Sequence, residues 1–465
     1  MTKIPESKSS RREFLRSSTI FGAGFVASNA AAVRAATNKN SKLRIFQMGT
    51  GNIGGMQRKG LKGHPMVEFA GFCDVDETMF SRVEDYHGDY WTVTDYREAF
   101  ANKLDDFDAV IVDTPDFHHC PMMVTAITNG KHVYGQKPLV HQLDELRLIR
   151  EAMAANPGLH TQMGNQRACT TGRMQAVEIL KSNTLGRPVE AHIWVGGMKR
   201  GTYFVDPWSP YTAAQAKPET MHWDLWNGPL TEELAYSEDL HPRRWRSYWE
   251  TGGGMLADWG CHVIDVLYFA YDLPAVEAVQ TNTMKPANEC HSGYNQSVLT
   301  YPGGDNFARD KFVVHYNDSS IKPSFATLGL PAPRDIKGTC TLIVCEEGAM
   351  FVEPGGKMEI YRKGKLVENE PMPEVAPRDH WKDWADCCLG EDKPLWTRFD
   401  IGTRITEPAL LATKATRFPG EELHWDAENY RFSNHEKANK TILSRTYREG
   451  FAPPNVGGVT VSSAG

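Results

Sequence analysis

Leu43 to Met48 is a short apolar run that leads straight into Gly49-Thr50-Gly51-Asn52-Ile53-Gly54, and helical spacing follows from Met56 to Leu61. A strand, a tight glycine turn and a helix in that order constrain this chain more than any other feature. One glycine makes the turn, the second lets backbone approach a pyrophosphate, and the third lets helix and strand pack closely, with the helix N-terminus facing negative charge. A second strand, Val67 to Cys73, ends in Asp74, twenty residues past Gly54. At that spacing a carboxylate accepts from both hydroxyls of an adenosine ribose and repels a 2′-phosphate. The pattern predicts NAD rather than NADP, held by Gly49, Gly51, Asn52, Ile53, Gly54 and Asp74. An acidic turn residue is the plainer reading of Asp74.

The alternation continues. An apolar strand, Asp108 to Asp113, leads into Thr114-Pro115-Asp116-Phe117-His118-His119 and a helix from Pro121 to Thr128. Strand His132 to Gly135 then runs into Gln136-Lys137-Pro138, followed by a helix, Leu143 to Ala155, and a strand, Leu159 to Gly164. Strands alternating with helices predict an α/β fold, a Rossmann doubly wound parallel sheet across residues 36–165 with its cofactor at the C-terminal strand ends. Lys137 lies at such an end, and a cis peptide is expected before Pro138.

From residue 166 the pattern changes to an α+β domain running to 465, with a large, mostly antiparallel open sheet. A helix covers Gly172 to Lys181, and strands are read at 189–195, 276–283, 312–316, 340–345, 350–352 and 358–361. Residues 285–306 and 319–337 read as loops shaping an active-site rim. Trp223, Trp226, Trp245, Trp249 and Trp259 crowd into 37 residues; core packing claims most of them, and Trp259 is placed in the pocket.

Composition narrows the partners. The 465 residues, 41% hydrophobic and 23% charged, describe a soluble protein of two or so domains. A formal charge of −7 is the wrong sign for tracking nucleic-acid phosphates. Nine cysteines without C-x-x-C spacing form neither a disulfide framework nor a metal knuckle, so no metal is expected and the thiols are read as mostly buried.

Near the N-terminus, Ser10-Arg11-Arg12-Glu13-Phe14-Leu15-Arg16 before a weakly apolar run resembles a twin-arginine export signal across residues 1–35. Its removal takes six Lys/Arg and two Asp/Glu and leaves −11 on the remainder, a periplasmic or otherwise exported chain with no membrane attachment. A basic tail is the alternative.

The chain as a whole resembles the glucose-fructose oxidoreductase and inositol 2-dehydrogenase family (Gfo/Idh/MocA). The glycine turn, Thr114-Pro115 with His119, Gly130-Lys131-His132-Val133, Lys137-Pro138 and the stretch from Gly252-Gly253-Gly254 to Asp258, His262 and Asp265 carry the likeness. Gln162-Met163-Gly164-Asn165-Gln166 and the Trp-rich stretches from Trp223 and Trp245 resemble its exported branch. The resemblance puts Lys137, Asp258 and His262 on the family's catalytic positions. It adds Thr114, Pro115, His119, Gln136 and Lys137 to the cofactor site and implies an oligomer. Chemistry asks for such a trio: a base takes the O–H proton of a sugar while hydride leaves, and His262 suits that role. Asp258 and His262, four apart on a helix, face one way, and Lys137 holds the developing alkoxide. The same three side chains can equally form a buried ion network. Many relatives carry Glu where this chain has Gln136, which removes a charge beside Lys137. Asn165, Arg167 and Arg246 are candidates to line the substrate pocket, or to strut the domains.

Outside the cytoplasm free NAD is scarce, so the cofactor is expected to stay bound and be reoxidised in place. The leading expectation is an NAD-dependent oxidoreductase acting on a sugar or polyol hydroxyl. A glycosidase or lyase working through a transient keto-sugar comes second, and a sugar-binding relative without turnover third.

Overall fold

Six parallel strands carry the glycine turn: β1 (Leu43–Met48), β2 (Val67–Cys73), β3 (Trp91–Val93), β4 (Ala109–Val112), β5 (His132–Gly135) and β6 (Thr161–Met163). Their order is β3-β2-β1-β4-β5-β6, the doubly wound arrangement in which ligands sit beyond the strand ends on either side of β1 and β4. All four residues of β4 are buried, because helices cover both faces of a parallel sheet, and such a strand reads as an unbroken apolar run. The computed structural model describes residues 41–84, 86, 88–196, 203, 214–242, 244–284, 289–459 and 463–464. The export-signal segment, residues 1–35, lies outside the described residues.

Helix boundaries differ from those the sequence implies. Helix α1 (Asn52–Leu61) begins inside the glycine turn, and α2 (Tyr96–Asn102) was not anticipated. Helix α3 (Asp116–Thr128) begins five residues before Pro121, which the sequence marks as its start. Pro115 caps it at φ −60°, an angle pre-set for helix entry, so the boundary proline is 115 and not 121. Helix α4 (Glu145–Ala155) follows, and Lys137-Pro138 is cis as expected.

The second sheet has ten strands. They are β7 (Pro188–Trp194), β8 (Ala278–Asn282), β9 (Gln296–Pro302), β10 (Lys311–Asn317), β11 (Cys340–Cys345), β12 (Ala349–Val352), β13 (Met358–Arg362), β14 (Lys365–Leu366), β15 (Glu422–Asp426) and β16 (Arg431–Phe432). The order is β14-β13-β12-β11-β7-β10-β9-β8-β15-β16. Only β7 and β10 pair in parallel, so the sheet is mostly antiparallel as predicted.

Two loop assignments need correction. The 285–306 stretch contains β9, where Ser297, Leu299 and Tyr301 alternate inward; glycine, asparagine and proline at its flanks hid the period of two. Residues 319–337 carry no strand, and none of them lines the crevice before the glycine turn. Phe325, Leu328 and Leu330 pack on Trp194 and Phe351 and cover part of the second sheet.

Helix α5 (Thr171–Lys181), the short α6 (Trp223–Asn227) and α7 (Gly254–Tyr271) precede the later strands. Helix α8 (Lys382–Cys388) returns to the first sheet, where Trp384 meets the Tyr134 ring edge-on at 5.6 Å. Helix α9 (Phe399–Ala415) packs against α7 and α4, joining the two halves. All nine cysteines are free thiols, eight of them buried. Among the described residues no helix is long and apolar enough to cross a membrane, and no cluster of three His, Cys, Asp or Glu side chains is arranged to hold a metal.

Candidate active site

The glycine turn does three separate jobs. Gly49 sits at φ 90° with its Cα against the Asp113 carbonyl, where an added Cβ would stand 2.4 Å from that oxygen. Gly54 is packed as closely under the Gly49 carbonyl, where an added Cβ would again stand 2.4 Å from the oxygen. Gly51 differs: nothing of the protein lies within 4 Å of its Cβ position, so the space in front of it opens into the crevice. From below, Gln47 Nε2 donates to the Gly54 carbonyl at 3.1 Å and to Asp113 Oδ2 at 2.8 Å. Burial pushes the Asp113 carboxyl up to about 7.

The crevice in front of the turn has a volume of about 700 Å³, within the ordinary range for a cofactor site. Gly49, Gly51, Asn52 and Ile53 line it from the turn, and Asp74, Thr114 and Pro115 from the strand ends. Asp74 is held in place by Thr50, whose N and Oγ1 donate to its Oδ2 at 2.9 and 3.0 Å, and by Asp76 N at 3.1 Å to its Oδ1. Trp226 lines the same space with its indole N–H buried and without a partner among the described residues. An open cradle before Gly51, helix N–H groups behind it and an ordered carboxylate at Asp74 fit a dinucleotide. Gly51→Val is therefore expected to leave thermal unfolding unchanged but to weaken NAD roughly 10- to 100-fold, the 1–3 kcal/mol of an overpacked contact. Titration of reduced-nicotinamide fluorescence checks it.

The catalytic candidates meet at the domain junction. Lys137, on the loop after β5, donates from Nζ to both the carbonyl and the Oδ1 of Asp258 on α7, each at 2.8 Å. Arg246 Nε reaches the same Oδ1 at 3.3 Å, and Tyr203 donates its hydroxyl to Oδ2 at 2.8 Å. Burial works to raise the Asp258 carboxyl, but the charges of Lys137 and Arg246 prevail and hold it well below the usual carboxylate range. Asp116 is the opposite case. Burial, and then the charge on Asp258, push it up to about 7, with one oxygen accepting from Gly253 N at 3.0 Å.

His262 is oriented from behind. Asn165 donates from Nδ2 to the Cys261 carbonyl at 2.9 Å and to Asp265 Oδ2 at 3.0 Å, which leaves its Oδ1 facing His262 Nδ1. The Nδ1–H therefore donates to Asn165, and Nε2 keeps its lone pair. Asp265 in turn pairs with the buried Arg173. Burial, and then the charge of Lys137, hold the His262 imidazole well below its ordinary value of 6.5. Neutral imidazole is the form that accepts a proton, so kcat should show no acid limb from this group between pH 8 and pH 6. A pH–rate profile falling with a midpoint near 6.5 would contradict that environment.

Several predicted residues stand elsewhere. Asn165 is fully buried and faces the imidazole, not open pocket. His119 lies behind the crevice, its ring nitrogens against the Pro138 and Thr114 carbonyls at 2.7 and 2.9 Å, so it ties two loops together. Gln136 is buried beneath Gly164 with its amide nitrogen unpartnered among the described residues. Trp259 packs edge-on to His262 at 5.9 Å, with Arg167 over its ring at 5.6 Å. Arg246 lines the crevice and stacks on Trp245 at 4.1 Å. The sequence reading missed Tyr203, His118, His241 and Phe451, all on the crevice wall. The tryptophan cluster was the one available signal, since Trp226 and Trp245 also stand there.

The comparisons agree with this fold. Residues 19–162 match the oxidoreductase family with an NAD-binding Rossmann fold (GFO_IDH_MocA), and residues 220–306 match the GFO/IDH/MocA C-terminal domain. Inositol 2-dehydrogenase of Rubrobacter xylanophilus is 25% identical over 161 residues, 33% of this chain and 44% of that protein. A glycosyl hydrolase family 109 protein of Solibacter usitatus is 29% identical over 159 residues, 30% of this chain and 35% of its own length. The matched region thus spans less than half of these curated relatives. In fold, the chain resembles the WlbA dehydrogenase of Bordetella pertussis, solved with NADH and UDP-GlcNAcA. The TM-score is 0.58 at 16% identity, over 83% of this chain and 99% of that one. Residues 19–162 and 220–306 thus resemble the two domains of the Gfo/Idh/MocA oxidoreductases, the first around the glycine turn and the second carrying Asp258 and His262.

Proposed function

We propose that the chain oxidises a hydroxyl group of a sugar or polyol, with Lys137, Asp258 and His262 as its working side chains. One observation carries the reading: Lys137 from the NAD-binding domain and Asp258 from the second domain meet at 2.8 Å beside an oriented, neutral imidazole. Bound NAD supplies the hydride acceptor. His262 Nε2 takes the hydroxyl proton as the C–H bond gives up its electron pair. Lys137 stabilises the alkoxide that develops between those events, and Asp258 keeps the ammonium aimed. Trp245, which lines the crevice, offers an aromatic surface to sugar C–H edges.

The reading extends to a resident cofactor reoxidised in place, in a chain exported through Arg11-Arg12 and working as an oligomer. A second outcome, net glycoside cleavage through a transient ketone, is favoured by Asp116. Its carboxyl, pushed up to about 7, carries a proton close to Asp258, and elimination needs a second proton-handling group.

Incubating the as-purified protein with underivatised sugars and glycosides, while following nicotinamide absorbance and products together, tests both. Reduced cofactor with a keto or lactone product supports the first; a released aglycone supports the second. No spectral change and no product with any sugar, despite bound nucleotide, removes both.

A further inference from the structure

The adenosine end of the crevice is walled by chain from outside the Rossmann sheet. Directly after Asp74, residues 75–77 pair with residues 220–222: Met221 bridges Asp76, His222 N donates to the Val75 carbonyl at 2.8 Å, and Glu77 N to the Thr220 carbonyl at 3.0 Å. Further along the same segment, His241 Nε2 lies 3.3 Å from Asp76 Oδ2. The segment has its own small core, in which Trp223 and Trp226 stack at 4.2 Å and Met221 and Leu240 pack with Val75 and Phe117 of the first domain.

The C-terminal strand clamps it from the other side. Arg448 donates to the Asp224 carboxylate at 2.5 Å, to its carbonyl at 2.8 Å and to the Gly228 carbonyl at 2.8 Å. Phe451 is held between two guanidinium groups, Arg97 of α2 at 3.8 Å and Arg448 at 4.3 Å. Arg97 also donates to the Gly450 carbonyl at 3.0 Å. Phe451, His241 and Trp226 face the same crevice as Asp74, Asp95 and Tyr96.

We propose that residues 220–242 and 447–451 form a clasp over the adenosine half of the dinucleotide, built so that NAD stays with the chain from one turnover to the next. The inference rests on the NAD-dependent reading above and adds the residues that retain the cofactor. Release then requires local opening of two segments cross-tied to each other and to both sides of the crevice, and a site gated this way loses its ligand at the rate the gate opens. The clasp also sets the order of events: sugars enter and leave while the nucleotide does not.

The test is nucleotide occupancy and dissociation, read without any sugar. Wild-type protein should carry close to one NAD per chain through gel filtration. Phe451→Ala and Arg448→Ala should purify largely without nucleotide, still take up added NAD in a thermal-shift titration, and release it about 100-fold faster than wild type, since such changes act mainly on dissociation. His241→Ala removes the Asp76 contact and a small piece of the crevice wall at a half-buried position, so it keeps the question answerable if the other two fail to fold; about a 10-fold faster release is expected. Variants that release NAD at the wild-type rate overturn the clasp. So does a wild-type protein that arrives empty and exchanges added NAD within a single turnover, an outcome that leaves the proposed chemistry standing. A wild-type protein that binds no NAD at all sinks the chemistry instead.

Discussion

Lys137→Ala is expected to lower kcat by about 10³-fold while changing NAD affinity little, the effect of removing one pre-aimed donor to a developing oxyanion. The lysine is fixed by two bonds to a single residue, the carbonyl and carboxylate of Asp258, so its ammonium is held in one place. Lys137→Arg should rescue poorly, because a planar guanidinium does not reproduce a compact ammonium. The variant has a second signature in acid. Asp258 has a depressed pKa in the folded protein, so it contributes stability that is present above its ordinary value near 4 and is lost as pH falls through the depressed one. Without Lys137, burial regains weight against Arg246 alone, and that loss sets in at higher pH. Thermal unfolding against pH for variant and wild type, alongside single-turnover kinetics, reads both effects. A variant within tenfold of the wild-type kcat would remove the trio from the mechanism.

The largest stability effect should come from Asp265→Ala, at about 3–5 kcal/mol, because it strands the buried Arg173 guanidinium. That is a large share of the roughly 5–15 kcal/mol holding a typical domain folded. Burial tends to raise the Asp265 carboxyl, and Arg173, Val266 N and Asn165 only partly offset it, so the pair is costly to keep and costlier to break. Arg173→Met combined with Asp265→Leu should recover most of the lost stability, since a well-packed apolar pair can replace a buried ion pair. It should not recover kcat. Asn165 would lose the acceptor that sets its amide, and with it the hold on the His262 tautomer, for about a 10- to 100-fold deficit. Chemical denaturation and kcat measured on the same three proteins separate the two roles; recovery of both together would show that Asp265 acts through stability alone.

Much of this was readable in advance, for identifiable reasons. The glycine turn, the buried parallel strands and the i,i+4 pair Asp258 and His262 are encoded by residues adjacent in sequence, where steric need and helical period act over a few positions. The loop that hides β9 shows the limit: a strand of seven residues flanked by turn formers gives too short a period to stand out. The site divides the same way. Lys137 could be placed by its strand end, whereas Tyr203 and Phe451 reach the crevice only through folding of distant chain, and no local pattern marks them. Likeness assigns His119 to the cofactor, and its place after a strand makes Asn165 a pocket candidate. Their ring and amide atoms are instead spent on protein partners, a distinction made by hydrogen-bond inventory and invisible to residue type.

The doubled grip of Lys137 on Asp258 has a bearing on how the two halves of the molecule are kept in register. The contact that would perform chemistry is also a rivet between lobes, so any hinge rotation that parted them would take the reacting centre apart. Alignment and competence are thereby a single variable, and stiffening the seam at α7 and α9 should raise turnover and heat resistance together instead of trading one for the other.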